Sequence, residues 1–61
     1  MPNLFYNLVS EVTGELLENE IFYNLNEARD AAFGLAQELE LNVEVIENFG
    51  NSLRVVEVIE G

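Results

Sequence analysis

Asn24-Leu25-Asn26-Glu27-Ala28-Arg29-Asp30-Ala31-Ala32-Phe33-Gly34-Leu35-Ala36-Gln37-Glu38-Leu39 is the stretch that decides the fold. Asn24 can cap a helix, because its side-chain oxygen accepts from the first free backbone N–H groups, and Glu27 three residues on completes a capping box. Leu25, Ala28, Ala32, Leu35, Ala36 and Leu39 then recur at helical spacing and form one apolar stripe. The spacing predicts a helix that ends near Glu40-Leu41, where the apolar period changes to two. An amphipathic helix must bury its stripe against another layer, and both flanks read as strands.

On the N-terminal flank, Leu4 to Val12 and Leu16 to Tyr23 are rich in β-branched, aliphatic and aromatic residues. Thr13-Gly14 lies between them as a turn, with Gly14 free to take positive φ. A two-residue loop there sets Val12 opposite Glu15. Counting outward then pairs Phe5 with Phe22, Tyr6 with Ile21 and Leu4 with Tyr23. On the C-terminal flank, Leu41, Val43 and Val45 alternate with Asn42 and Glu44 as a third strand. Asn48-Phe49-Gly50-Asn51-Ser52 forms a turn, and Leu53 to Glu60 a fourth strand. The expectation is an α+β domain over residues 1–61: a two-layer ββαββ fold, its four-stranded, mainly antiparallel sheet carrying one helix on one face. If the second and third strands run parallel, the helical crossover between them is right-handed.

A lone helix covers only one face of such a sheet. Alternation assigns Leu4, Tyr6, Leu8, Leu17, Ile21, Tyr23, Leu41, Val43, Val45, Leu53, Val55 and Ile59 to the helix side. The opposite side inherits Phe5, Val9, Leu16, Phe22, Ile46, Val56 and Val58. Covering one such side chain is worth about 1.5–3 kcal/mol, so a contiguous set of this size asks for a partner. The expected answer is a homodimer, with Phe5, Phe22, Val9, Leu16, Val56 and Val58 in its interface, or an edge-strand pairing of two copies.

Two further aromatics stand apart from the core. Phe33 lies about 140° from Ala28 at about 100° per residue, with Arg29 and Gln37 one turn away. Phe49 sits at the tip of the second turn. Glu18 and Glu20 share a strand face, as a solvated acidic surface. Phe33, Arg29, Gln37, Phe49, Glu18 and Glu20 are therefore the expected contacts with a partner protein.

Composition removes whole classes of chemistry. The 61 residues include no His, no Cys and no Trp, and the only two basic residues are Arg29 and Arg54. Thiol chemistry, imidazole acid–base catalysis, Schiff-base chemistry and zinc sites with sulfur or nitrogen ligands are excluded. The acids are spread singly and form no calcium loop, no glycine run cradles phosphate, and a nucleophilic serine would lack an activating base. The expectation is a protein that is not an enzyme and carries no cofactor and no metal. Twelve acids against two arginines give a formal net charge of −10, which argues against direct contact with nucleic acid or an anionic membrane. A hydrophobic share of 49% nevertheless separates the chain from acidic disordered tails. Met1-Pro2-Asn3 shows neither a basic stretch nor a long apolar segment, and the cysteine-free composition fits a reducing compartment, so the expected location is the cytoplasm.

These residues describe a small acidic interaction module, homodimeric, that binds or inhibits a protein with a basic surface. A more specific alternative is a nucleic-acid mimic: carboxylates on every element, uninterrupted by lysine, occupy the groove of a nuclease, guide-RNA complex or transcription protein. A second alternative is a structural or assembly subunit that uses the apolar sheet face and is indifferent to salt. The layout of a Thr13-Gly14 hairpin, a helix capped ahead of Glu27-Ala28 and a glycine-turned second hairpin resembles many small phage and bacterial ββαββ proteins. It is similar to the compact acidic proteins by which phages inhibit host defence or transcription. That resemblance implies an inhibitor and assigns a role to no individual residue.

Overall fold

The computed structural model describes residues 4–17 and 21–61. In chain order the elements are β1 (Leu4–Ser10), α1 (Leu25–Leu39), β2 (Val43–Phe49) and β3 (Ser52–Ile59). The strands form one antiparallel sheet in the order β1-β2-β3, with α1 across one face. The α+β class is as expected, whereas the described residues form three strands rather than four.

Of the expected second strand, the described residues show two bridges on the outer edge of β1, Tyr6 with Phe22 and Val9 with Leu16. Between those bridges β1 advances from Tyr6 to Val9 while its partner runs from Leu16 to Phe22, so no single hairpin register joins them. Glu18, Asn19 and Glu20 lie outside the described residues. The turn supplies a physical reason for the shifted register. Ser10 Oγ accepts from the Thr13 N–H at 3.4 Å, Thr13 Oγ1 from the Glu15 N–H at 3.2 Å, and the Ser10 carbonyl from the Gly14 N–H at 2.7 Å. Hydroxyl side chains of this kind compete with ladder hydrogen bonds. They pull Glu11 and Val12 into the loop, and Ser10 rather than Val12 meets Glu15, at 2.9 Å. At the far end the offset runs the other way: Tyr6 pairs with Phe22, so Phe5 with Phe22, Tyr6 with Ile21 and Leu4 with Tyr23 are not pairs.

Asn24 caps α1 as its position foretold, its Oδ1 accepting from Asn26 N–H at 2.8 Å and Glu27 N–H at 3.4 Å. The buried stripe is narrower than the apolar spacing suggested. Ala28, Ala32 and Ala36 are fully buried, whereas Leu25 and Leu39 at the ends are exposed. Small side chains on the helix leave the bulk of the core to the sheet, from Tyr6, Leu8, Val43 and Val45. Leu17, Phe22, Ala31, Leu35, Leu41, Val56 and Ile59 pack around that centre. The helix ends at Glu40, a non-glycine in the left-handed region at φ 55°, and Leu41 N–H returns to the Ala36 carbonyl at 3.2 Å.

β2 and β3 are joined through Gly50-Asn51, with Phe49 opposite Ser52 and Gly50 at φ 61°, the arrangement of a tight two-residue hairpin. The ladder shifts between Val45 and Ile46, whose partners are Glu57 and Val55, leaving Val56 as the extra residue of a bulge. A bulge reverses the alternation beyond it. Leu53 and Val55, expected beneath the helix, therefore lie on the open face with Val58, and Val56, expected on the open face, packs against the core instead. Phe22 changes sides as well, because pairing with Tyr6 turns it toward the helix. Ile21 and Tyr23, expected in the core, are exposed.

Candidate interaction surface

The face of the sheet away from α1 is built by alternation. Phe5, Asn7 and Val9 of β1 align with Asn48, Ile46 and Glu44 of β2, and these align with Leu53, Val55 and Val58 of β3. Leu16 extends the row through its bridge to Val9. Leu16, Leu53, Val55 and Val58 are exposed, Leu53 at 69%. The sheet's curvature makes a depression of about 460 Å³ here, lined by Val9, Leu16, Ile46, Leu53 and Val55 with Asn7, Asn48, Gly14 and Arg54. There Asn48 Nδ2 donates to Asn7 Oδ1 at 2.7 Å, joining the two amide side chains of the lining. Glu44 is the one acid that the register puts on this face among the described residues.

Charge is gathered elsewhere. Glu27, Asp30 and Glu38 lie on α1 and are exposed, as are Glu11 and Glu15 at the first turn and Glu60 near the C-terminus. Glu38 and Glu40 stand at the negative end of the helix dipole, with no basic residue in the last turn to offset it. Both arginines are engaged internally. Arg29 Nε donates to Glu57 Oε2 at 2.6 Å, which ties α1 to β3, and Arg54 Nε donates to Glu47 Oε1 at 3.0 Å across the β2–β3 ladder. As half-exposed pairs they add at most about 1 kcal/mol each, and they hold each of the chain's two cationic side chains beside a carboxylate.

A second, more polar groove of about 400 Å³ runs between α1 and the outer strand, lined by Asn26, Arg29, Asp30, Phe33 and Ile59. Phe33 stands half-exposed on the wet side of the helix, as its angle foretold. The expected partner contacts do not form one surface. Phe33 and Arg29 share this groove and Gln37 is exposed further along the helix. Phe49 lies at the hairpin end, opposite Leu4 and Ser52. Glu18 and Glu20 lie outside the described residues. Of the expected dimer set, Phe5, Val9, Leu16 and Val58 share the open face, whereas Phe22 and Val56 have left it. Sequence reasoning missed Leu53, Val55 and Asn48 as members of this face. The run Leu53-Arg54-Val55-Val56-Glu57-Val58-Ile59 alternates imperfectly at Val55-Val56, and that doublet was the available signal of a bulge.

No helix among the described residues is long and apolar enough to cross a membrane. Among them, too, no three acids converge closely enough to hold a metal ion. Comparison of the chain with protein-family models, curated proteins and solved structures finds no match.

Proposed function

We propose that this chain is a non-catalytic interaction module of the cytoplasm, working as a homodimer, that docks onto a protein with a basic surface through the open face of its sheet. The observation that carries the reading is the separation of charge from apolar surface. One face is apolar, concave and nearly free of carboxylates, while acids border it at the first turn and near the chain end and others lie on the helix of the opposite face. Protein interfaces commonly combine an apolar centre with a polar rim, and an acidic rim selects basic partners and accelerates their approach.

The test is affinity capture at low and high salt with the unaltered chain and with Leu16→Ser. Leu16 is exposed, so its replacement leaves the fold intact. The expected partner is held at low salt, released at high salt and lost on substitution. Retention indifferent to both changes would overturn the reading.

A second reading, nucleic-acid mimicry, is favoured by one specific fact: the chain has no Lys or His, and both arginines are bound to its own glutamates. The outward field is then negative without interruption. Under this reading the captured protein binds nucleic acid and surrenders it to this chain in competition, with strong salt dependence. A partner that keeps its nucleic acid while bound here would exclude mimicry.

A further inference from the structure

The order β1-β2-β3 leaves the far edge of β3 without a strand neighbour among the described residues. The direction of its peptide groups follows from the hydrogen bonds at the opposite side of the sheet. Tyr6, Leu8 and Ser10 direct theirs to Phe22, Leu17 and Glu15, away from β2, while Glu11 N–H donates to Asn42 on the β2 side. Antiparallel alternation then points Phe5, Asn7 and Val9 at β2, and Val43, Val45, Glu47 and Phe49 at β3. Ser52, Arg54, Glu57 and Ile59 answer them, so Leu53, Val55 and Val58 send their N–H and C=O groups off the free edge. Exposed edges are ordinarily guarded by charged side chains, Lys above all, by Pro, by bulges or by brevity. β3 has eight residues, the most of the three strands, and contains neither Lys nor Pro. Of these devices it has the bulge at Val56 and the charges of Arg54 and Glu57, one of each sign.

Resting on the homodimer part of the reading above, we propose that β3 is the dimer seam, two copies pairing edge to edge and antiparallel about a two-fold axis at Val55. In that register Val55 meets the partner's Val55, and Leu53 meets the partner's Val58 on the open face. Arg54 meets the partner's Glu57 on the helix face. The bulge makes this match. Were Val56 an ordinary ladder residue, Arg54 would face a valine and Leu53 a glutamate. Arg54 is 73% exposed and Glu57 32%, and each is already anchored within its own chain, to Glu47 and to Arg29. Pairing therefore strings Glu47, Arg54, the partner's Glu57 and the partner's Arg29 into a row of alternating sign, formed twice by symmetry. β3 carries one Arg and one Glu in a chain of net charge −10, so along this strand two like-charged copies meet without opposing acids. The two-fold axis keeps both helices on one side and fuses the two open faces into one apolar surface, twice as wide for the partner.

The chain has no cysteine, which makes cross-linking unambiguous. Directly paired residues sit about 5.5 Å apart between Cα atoms, within disulfide range. Val55→Cys alone should oxidise to a covalent dimer. Leu53→Cys and Val58→Cys should each stay monomeric in covalent terms, yet join one another when mixed. In the unaltered protein, amide hydrogen exchange at Leu53, Val55 and Val58 should slow by about tenfold or more from dilute to concentrated solution. A dimer by sedimentation whose three amides exchange as freely as in the dilute chain would overturn the seam and leave the homodimer standing. A monomer at every concentration would remove both.

Discussion

The two faces of the sheet are made of similar side chains and behave in opposite ways. On the covered face Leu8, Val43 and Val45 are fully buried beneath three alanines. On the open face Leu53, Val55 and Val58 are branched aliphatics too, yet remain exposed. Residue type therefore does not decide which face stabilises the monomer; the presence of the second layer does. Burial on the covered side is already realised, whereas burial on the open side is available only on association.

The largest test of this contrast is Leu8→Ala. Leu8 is at 0% exposure in the middle of β1, and emptying such a site costs about 2–5 kcal/mol, a large part of the total stability of a small domain. The expected result in urea denaturation followed by circular dichroism is loss of the folded baseline, or a midpoint shifted far down. A shift below 1 kcal/mol would mean that the covered face is not the core. Ala32→Leu probes the same layer from the helix. Ala32 has no exposed surface and belongs to the core cluster, so the added atoms must push α1 away from the sheet, for a loss of about 1–3 kcal/mol.

How much of this was legible in the sequence varies with the range of the forces involved. The helix was readable because its signals are local: Asn24 caps where expected, and the alanine repeat is the buried stripe. The β2–β3 hairpin was readable through Gly50. The first hairpin was legible only as an edge beside β1: at the turn, Ser10 and Thr13 hydroxyls bond to nearby backbone and move the register, a competition that propensity does not weigh, and at Phe22 the offset has the opposite sign. β3 failed at one residue. Val56 satisfies the core as a bulge, and from there Leu53 and Val55 exchange faces with respect to a regular strand. The open face was thus foreseen as a surface and misassigned in part of its membership, because period-two reading carries no information about an inserted residue.

A smaller effect sharpens the contrast from the outer side of the helix. A methyl group added at Gly34 meets nothing within 4 Å, so this glycine accommodates no neighbouring backbone. Gly34→Ala should then stabilise by about 0.5–1 kcal/mol through helix propensity and reduced freedom of the unfolded chain. Thermal melting should rise by several degrees. A fall would reveal a partner or conformation that needs the space.

The smallest expected change in folding belongs to Leu53→Ala, and it is the most informative about the open face. Leu53 is 69% exposed, so in dilute solution the unfolding free energy should move by no more than about 0.5 kcal/mol. Leu53 also meets the partner's Val58 twice in the proposed seam, and a cross-strand pair contributes about 0.2–1 kcal/mol, so two weaken dimerisation by about two- to thirtyfold. Sedimentation across a dilution series reads the second number and denaturation of the dilute chain the first. A substitution that harms folding and leaves association untouched would reverse the roles of the two faces. One that harms association alone confirms that the same kind of side chain serves the core on one face and assembly on the other.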